Sequence, residues 1–280
     1  MDSFLFEKCI LENFNHQPTL DQQSGINKLA RFVFYKKKKA GLIIKGYAGT
    51  GKTTIVSALV KACNEKGLGV VLLAPTGRAA KVMSSYSGKE SSTIHRCIYH
   101  VRQKKEGYFF SLAKNKANNT LFVIDEASMI SGKDYGKSAD IFASSLLSDL
   151  LTFIYSGKDC KAIFVGDHAQ LPPIGWQTSP ALDVHYLNDQ QEADFYQFEL
   201  RQVVRQSKGS GILSEATILR NAIEDERFVL NINPNQKDVI NVEPFDVQDH
   251  FETFFSPSAV GESIIICRSN KRANLYNAEI

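Results

Sequence analysis

One eight-residue segment constrains the fold of this 280-residue chain more than any other feature. It fits the pattern G-x-x-x-x-G-K-[ST] in full and reads Gly46-Tyr47-Ala48-Gly49-Thr50-Gly51-Lys52-Thr53. It lies between an apolar run, Leu42 to Lys45, and a stretch with helical periodicity from Thr53 to about Glu65, which is the context the pattern requires. Glycines in such a turn let backbone amides and the helix N-terminus close around phosphate groups. The segment therefore predicts a nucleotide-binding P-loop.

The residues of this P-loop have separate expected roles in binding ATP. Lys52 is expected to meet the β- and γ-phosphates, and the hydroxyl of Thr53 is expected to hold Mg²⁺. Nucleotide contacts are assigned to the whole turn and the start of the helix: Gly46, Tyr47, Ala48, Gly49, Thr50, Gly51, Lys52, Thr53 and Thr54. The alternative is a glycine-rich turn with an incidental lysine, which the complete pattern disfavours.

An acidic pair follows a second apolar run, Leu121 to Ile124. Asp125 can hold Mg²⁺ through water, and Glu126 is placed to orient or deprotonate the attacking water. Acidic pairs after strands are also common as helix caps. Because this pair accompanies a P-loop, we expect it to be catalytic.

A third polar turn follows the apolar run Ala162 to Val165 and reads Gly166-Asp167-His168-Ala169-Gln170 before Leu171 and two prolines. Gln170 has the reach to sense the γ-phosphate or the attacking water. His168 has no second metal ligand at a useful spacing, so a hydrogen-bonding or surface role is expected for it.

The order of apolar and helical segments predicts the fold class. Continuous apolar runs, each suited to a buried parallel strand, alternate with helical stretches. These runs are Leu42 to Lys45, Val70 to Ala74, Leu121 to Ile124, Ala162 to Val165 and Ile264 to Cys267. The alternation predicts an α/β protein with a doubly wound parallel sheet. Two segments break it: Ile98 to Leu112 indicates a β-hairpin, and the irregular Asn231 to Pro257 indicates a domain boundary.

Charge is divided unevenly along the chain, although the formal net charge is only +3. Residues 1–120 hold 20 Lys or Arg against 7 Asp or Glu, whereas residues 121–280 hold 13 against 23. A lysine run such as Lys36 to Lys39 is by itself typical of a solvated turn. The excess of +13 in the first part as a whole favours a polyanionic partner.

The sequence also indicates the cellular compartment of the protein. No apolar run approaches the roughly 20 residues of a membrane helix. Asp2, Glu7 and Glu12 lie where a secretory signal would carry a basic cluster and then an apolar stretch. The five cysteines are scattered without a CxxC pair, so we expect reduced thiols and no disulfide or zinc framework. We therefore expect a cytoplasmic protein without a membrane partner.

Five segments in order resemble motifs I, Ia, Ib, II and III of superfamily 1 (1B) DNA helicases of the RecD/Dda type. They are the P-loop, Ala74 to Met83, Ser92 to Arg96, Ile124 to Met129 and Val165 to Ile174. A P-loop alone would be unspecific. The Thr-Ile-His-Arg and Gly-Asp-x-x-Gln-Leu-Pro-Pro strings narrow the resemblance to this branch.

The resemblance implies further contacts with ATP. Pro18 to Gln23 is similar to the Q motif, in which a glutamine amide reads adenine; Gln22 is assigned this role, Gln23 is the alternative, and a plain polar helix turn remains open. Leu200 to Gln206 is similar to motif IV, whose arginine reaches the γ-phosphate. Arg205 is assigned that role, with Arg201 or a surface arginine as alternatives. The implied catalytic set is Lys52, Glu126, Gln170 and Arg205.

The resemblance also implies a surface that binds single-stranded DNA. Its expected contacts are Pro75, Thr76, Arg78, Lys81, Thr93, His95, Arg96 and Tyr99. Helix N-termini, hydroxyls and cations are groups that hold phosphates, although an amphipathic helix start explains Arg78 and Lys81 equally well.

The hairpin occupies the place of a strand-separating pin in this family. Its aromatic residues are expected to stack on bases or, alternatively, to form the hairpin's own small core, while its cations neutralise backbone phosphates. The aromatic residues are Tyr99, Tyr108, Phe109 and Phe110, and the cations are Arg102, Lys104 and Lys105.

The implied architecture is a RecA-like P-loop NTPase. Residues 1–230 are expected to form the first RecA-like domain, with the inserted hairpin at about 97–119, and residues 231–280 a linker and the beginning of a second RecA-like domain. Motifs V and VI have no match in the sequence, so we expect the N-terminal part of a longer helicase.

The resemblance implies an ATP-dependent DNA helicase motor that moves 5′ to 3′ on single-stranded DNA, engages a DNA fork, and acts as a monomer. By itself the chain is expected to hydrolyse ATP weakly and not to unwind DNA usefully. One alternative is the motor subunit of an ATP-driven exodeoxyribonuclease complex, although no nuclease-type carboxylate cluster is apparent. The other is a nucleotide-gated DNA-binding module without unwinding activity.

Overall fold

A computed structural model describes residues 2–104, 107–133, 145–191, 193–204, 210–225, 227, 232–234, 236–255 and 263–279. The chain divides into two compact units, residues 1–206 and 207–280. The domain boundary expected after residue 230 lies within the second unit and stays a prediction.

The first unit is built on a parallel β-sheet. Its described strands are β1 (Ala40–Gly46), β2 (Gly69–Ala74), β3 (Ser91–Thr93), β4 (Tyr99–Lys104), β5 (Gly107–Leu112), β6 (Thr120–Ile124), β7 (Lys161–Gly166) and β8 (Asp194–Leu200). Six of them form one sheet in the order β3-β2-β6-β7-β1-β8. Every neighbouring pair in it is parallel. The predicted doubly wound α/β fold is confirmed.

Helices cover both faces of this sheet. They are α1 (Ser3–Glu12), α2 (Leu20–Val33), α3 (Lys52–Glu65), α4 (Gly77–Ser87), α5 (Ile94–Ile98), α6 (Leu146–Ser156) and α7 (Val184–Gln191), with short 3-10 helices at Ala127–Met129 and Pro180–Leu182. Successive strand residues point to opposite faces, so Ile44 packs in the core beneath α1 to α4 while Ile43 packs in the core beneath α5 to α7. Both faces of the strands are apolar because both are buried.

The strand and helix predicted on either side of the P-loop are confirmed as β1 and α3. The helix ends at Glu65, and Gly67 then adopts the left-handed conformation with φ 66°, as the predicted stop at glycine requires. The parallel alignment of the strands places the turns after β1, β2, β6 and β7 at one edge of the sheet, the carboxyl edge.

The predicted hairpin is also confirmed. β4 and β5 pair antiparallel, with Tyr99 opposite Leu112 and Lys104 opposite Gly107. Helix α5 ends at Ile98, directly before β4. The side chains of residues 101–109, and all of Lys105 and Glu106, lie outside the described part of the chain.

The second unit contains α8 (Gly211–Glu224), α9 (Val247–Phe254) and α10 (Asn270–Glu279) among its described residues. The predicted strand at Ile264 to Cys267 is wrong, because that described segment has no strand pairing and leads into α10. Ile264 is 65% exposed and Ile266 is 91% exposed, so in the part of the unit that the structure describes no sheet covers these side chains. The irregular character predicted for residues 231–257 holds only in part, since α9 lies within that segment.

Two further features bear on the sequence-based expectations. The five cysteines carry free thiols. Within the part of the chain that the structure describes, no helix is both long enough and apolar enough to cross a membrane.

Candidate functional site

The P-loop lies at the carboxyl edge of the sheet, between β1 and α3. Gly49 and Gly51 have φ of 81° and 92°, the left-handed region that favours glycine. The hydroxyl of Thr50, which is fully buried, donates to the carbonyl of Tyr47 at 2.8 Å and closes the turn. The conformation that the glycines were expected to allow is therefore present.

Lys52 lies over this turn in the structure. Its Nζ donates to the carbonyl of Gly46 at 2.6 Å and to the carbonyl of Tyr47 at 2.9 Å. The ammonium group is thus held at the mouth of the loop, where P-loop lysines meet phosphate oxygens. Thr53 is exposed in the first turn of α3.

Gln22 is packed against the P-loop. Its side chain is buried, its Nε2 donates to the carbonyl of Thr50 at 2.9 Å, and its Oε1 accepts from the backbone N–H of Thr19 at 2.9 Å. A Cβ atom at Gly51 would collide with this amide, so a side chain there would displace the Gln22 amide in addition to straining the backbone. The amide assigned to read adenine is therefore held by two protein contacts.

The alternative adenine reader, Gln23, points elsewhere. Its Nε2 donates to Oε1 of Glu7 at 3.3 Å, a contact between α2 and α1. The structure thus brings Gln22, and not Gln23, to the P-loop.

The acidic pair follows β6 at the same edge of the sheet. The backbone N–H of Asp125 donates to the carbonyl of Leu73 at 2.9 Å, which continues the pairing with β2. Its Oδ1 accepts from the N–H of Glu126 at 2.9 Å, and its Oδ2 accepts from the hydroxyl of Tyr86 at 2.6 Å. Both oxygens are thereby fixed in orientation.

The residues assigned to Mg²⁺ fit a magnesium ion in chemical terms. The hydroxyl of Thr53 and the carboxylate of Asp125 are hard oxygen donors, which Mg²⁺ prefers. Mg²⁺ in nucleotide sites typically takes only one or two protein ligands, with phosphate oxygens and water completing the shell. The described residues contain no group of three His, Cys, Asp or Glu side chains that could hold a metal.

Glu126 lies in an environment that suits a general base. It adopts the left-handed conformation with φ 51°, uncommon for a residue with a side chain. Burial raises the pKa of Glu126, and the Asp125 carboxylate raises it further. A hydrogen bond with the Gln170 side chain and the charge of Lys52 act in the opposite direction, and the net shift is upward. A raised carboxyl pKa strengthens the group as a proton acceptor.

Gln170 belongs to the same site. Its Oε1 accepts a hydrogen bond from the hydroxyl of Ser128 at 2.9 Å, and its side chain also forms a hydrogen bond with Glu126. The turn before it is held by Asp167, which is buried and accepts the N–H of Ala169 at 2.9 Å. The structure therefore brings together Lys52, Glu126 and Gln170, which lie in three separate segments that follow β1, β6 and β7.

His168 contacts protein groups at this edge. Its Nε2 lies 3.6 Å from Oε1 of Glu199, and its ring lies 4.6 Å from the ring of Tyr47, centroid to centroid. With Lys45, Asp183 and Glu199 it lines a cavity of about 350 Å³.

The assigned γ-phosphate arginine, Arg205, lies outside the described residues. The alternative, Arg201, is exposed and donates from Nε and from a terminal nitrogen to Oε2 of Glu199, at 3.2 Å and 3.0 Å. Its backbone N–H donates to Oδ2 of Asp21 at 3.1 Å. These contacts place Arg201 at the end of β8.

The residues assigned to single-stranded DNA surround two helix N-termini. The Oγ1 of Thr76 caps α4 by accepting a hydrogen bond from the N–H of Ala79 at 3.2 Å. The Oγ1 of Thr93 caps α5 by accepting one from the N–H of Arg96 at 3.3 Å. The side chains of Thr76, Arg78, Lys81, His95 and Arg96 are exposed, and those of Pro75 and Thr93 are half-buried. Because β2 and β3 are neighbours, both helix starts lie on the same edge of the sheet.

Tyr99 is placed differently from the other assigned DNA contacts. It is only 8% exposed, and its hydroxyl donates to Oδ2 of Asp149 at 2.7 Å. Its ring lies 5.9 Å from that of His95 and 6.3 Å from that of Phe110. Its contacts are those of a core residue that anchors the hairpin to α5 and α6.

Two side chains of the site were not identified from the sequence. Tyr86 carries no local signal, because it reaches Asp125 from 39 residues away. Ser128 lies inside the motif around the acidic pair, and its proximity to Gln170 depends on the pairing of β6 with β7. The Thr19 to Gln22 contact could have been identified as a capping box, since the spacing T-x-x-Q is its signature.

Comparisons with known proteins give one family and several relatives. The family model described as the AAA domain matches residues 28–229. The ATP-dependent DNA helicase dda of Enterobacteria phage T4 is 31% identical over 208 residues, which cover 72% of this chain and 42% of that protein. The ATP-dependent RecD2 DNA helicase of Deinococcus radiodurans is 31% identical over 133 residues, 48% of this chain and 16% of that protein.

A third relative is the RecBCD enzyme subunit RecD of Buchnera aphidicola. It is 34% identical over 206 residues, which cover 60% of this chain and 31% of that protein. The chain spans less than half the length of each of the three relatives.

Proposed function

The chain belongs to the AAA domain family, and on that premise we propose that it is the N-terminal motor part of an ATP-dependent DNA helicase. The observation that carries the proposal is the meeting of Lys52, Glu126 and Gln170 at one edge of the sheet. The similarity to the phage T4 and Deinococcus radiodurans helicases supports the choice of a DNA motor over other uses of a P-loop.

ATP is the proposed substrate, with its phosphates in the P-loop. Lys52 stabilises charge on the β- and γ-phosphates, and the amides around Gly49 and Gly51 add further donors. Glu126 accepts a proton from the attacking water, and Gln170 orients that water next to Glu126. Thr53 and Asp125 would hold Mg²⁺, which would neutralise phosphate charge. Arg205 is proposed to reach the γ-phosphate, and Gln22 to lie beside the adenine.

Single-stranded DNA is the proposed partner of the surface around the N-termini of α4 and α5. The exposed cations Arg78, Lys81 and Arg96 neutralise phosphates, and the hydroxyls of Thr76 and Thr93 donate hydrogen bonds to them. By the resemblance, movement on DNA is proposed to run 5′ to 3′ as ATP closes and reopens a cleft between two RecA-like domains. The hairpin β4–β5 is proposed to act as the pin at a fork.

ATPase assays with and without single-stranded DNA test this proposal. We expect weak turnover by the 280-residue chain, stimulation by single-stranded DNA, and loss of about 10²- to 10⁴-fold in kcat for Glu126→Gln. The substitution keeps the size of the side chain and removes its charge. A Glu126→Gln protein with wild-type turnover contradicts the proposal, whereas DNA binding with no Glu126-dependent turnover, here and in the longer protein, favours the DNA-binding module.

A second candidate function is supported by the similarity to RecD, 34% identical over 206 residues. In that reading the chain is part of a motor subunit that works within a nuclease assembly. Affinity purification of the chain from its native source distinguishes the two, because the second function requires a stable partner with nuclease activity. Recovery of a monomer that hydrolyses ATP favours the first.

A further inference from the structure

Helix α4 carries a tyrosine that contacts two parts of the nucleotide site. Tyr86 lies in the last turn of α4, and its carbonyl accepts from the hydroxyl of Ser57 at 3.0 Å. Ser57 lies on α3, one helical turn after Thr53. The hydroxyl of Tyr86 donates to Oδ2 of Asp125 at 2.6 Å. Tyr86 therefore joins the two elements that carry the residues assigned to Mg²⁺.

The hydroxyl of Tyr86 is the donor in this contact, because an ionised carboxylate can only accept hydrogen bonds. A phenol beside such a carboxylate has one favourable arrangement, in which its O–H points at the carboxylate oxygen.

The contact orients Asp125 without using up its capacity to accept hydrogen bonds. An ionised carboxylate has about four acceptor positions. The N–H of Glu126 takes one on Oδ1 and the hydroxyl of Tyr86 takes one on Oδ2. About two acceptor positions remain for the water molecules of a bound metal ion.

We propose that Tyr86 is a positioning residue that fixes the Asp125 carboxylate in the orientation required for Mg²⁺. Because Tyr86 lies in the last turn of α4, it also links this carboxylate to the helix whose first turn carries Arg78 of the proposed DNA surface. The inference rests on the proposed function, since it assigns Tyr86 a role in the same nucleotide site. Groups that hold a metal-binding carboxylate in place typically change metal affinity about 10- to 100-fold when they are removed.

Direct metal binding tests the role of Tyr86 without relying on turnover. Mn²⁺ replaces Mg²⁺, and its binding to the protein with saturating ADP is read from the loss of the free-ion EPR signal. We expect Tyr86→Phe, which keeps the ring, to weaken Mn²⁺ binding about 10-fold while metal-free ADP binding is unchanged. Unchanged or tighter Mn²⁺ binding overturns the positioning role, because the hydroxyl would then be neutral or a competitor of the metal.

A matched control is available at the opposite edge of the sheet. The hydroxyl of Tyr35 hydrogen-bonds the hydroxyl of Tyr196 at 2.8 Å and donates to Oδ2 of Asp194 at 3.4 Å. Tyr35→Phe removes the same chemical group beside an aspartate that starts β8, and we expect it to leave Mn²⁺ binding unchanged. An equal loss of Mn²⁺ affinity in both variants would mean a general structural effect and would overturn the proposal.

A double substitution distinguishes positioning of Asp125 by Tyr86 from a general structural effect of the substitution. With Asp125→Asn as background, Tyr86→Phe is expected to have little further effect on Mn²⁺ binding, because the carboxylate it orients is gone. Fully additive losses contradict the proposal. Wild-type protein that binds neither ADP nor Mn²⁺ contradicts the proposed function itself, whereas wild-type binding with an indifferent Tyr86→Phe contradicts only the role of Tyr86.

Discussion

At the scale of single residues, the acid–base behaviour of Glu126 is set by its neighbours. Burial and the Asp125 carboxylate raise its pKa, while the Gln170 hydrogen bond and the Lys52 charge lower it. A general base must be ionised to accept a proton. As pH falls through the raised pKa, Glu126 becomes protonated and turnover is lost. We therefore expect the acidic limb of the kcat profile to lie above the pH at which an ordinary glutamate titrates.

The variant Gln170→Ala is expected to shift the acidic limb of the kcat profile in a defined direction. Removing a hydrogen bond that lowers the pKa of Glu126 raises that pKa further, so the acidic limb moves to higher pH. The height of the profile also falls, since Gln170 is proposed to orient water. Gln197→Ala, a change at an exposed residue of β8, is the control and should leave the limb in place. A limb that stays fixed in Gln170→Ala speaks against the pairing of Gln170 with Glu126.

At the scale of secondary structure elements, the first turn of α2 supports the P-loop. The amide of Gln22 satisfies the carbonyl of Thr50, which belongs to a fully buried residue, and closes a capping box with Thr19. Gln22→Ala leaves that acceptor unsatisfied, which costs about 1–3 kcal/mol of unfolding free energy. Urea denaturation measures the loss, and the neighbouring Gln23→Ala, whose contact is with Glu7 on α1, should lose less. Equal losses would mean that the P-loop contact adds no stability.

The elements themselves were predictable where local pattern and tertiary environment agree. The strands around the P-loop are apolar runs buried on both faces, and the hairpin sequence alternates with aromatic residues, so sequence alone located these elements. The run Ile264 to Cys267 is similarly apolar, but it pairs with no strand among the described residues of its unit, and Ile264 and Ile266 are exposed. Pattern identifies what a segment can form, whereas a strand also needs a neighbour.

Contacts within the site were predictable only in part, for the same reason. The glycines, Lys52 and the acidic pair lie in local motifs, and their meeting follows from parallel strands ending at one edge. The hydrogen bond from Tyr86 to Asp125 depends on how α4 packs against β2, the strand next to β6, which no local spacing encodes. Similarly, a tyrosine in a hairpin indicates stacking on bases as readily as the buried contact that Tyr99 makes with Asp149.

At the scale of the whole molecule, the basic excess of the first part divides between two edges of the sheet. Lys36 to Lys39 precede β1 at its amino edge and are exposed, and Lys37 forms an ion pair with Asp194. Arg78 and Lys81 are exposed on α4, which starts at the carboxyl edge beside the nucleotide site. From net charge alone, all of these cations would be expected to contribute equally to DNA binding.

Salt dependence distinguishes the two groups of cations. Each phosphate contact on single-stranded DNA contributes about 0.7 to the slope of log affinity against log salt concentration. We expect Arg78→Ala and Lys81→Ala each to reduce the slope by about that amount. The guanidinium or ammonium group lost in each variant would otherwise displace a counterion from the DNA on binding. Lys38→Ala removes an equal charge at the amino edge and should leave the slope unchanged. Fluorescence anisotropy of a labelled oligonucleotide at several salt concentrations measures this slope. Equal reductions in all three variants would show that DNA binding depends on the total charge of the unit and not on the α4 surface.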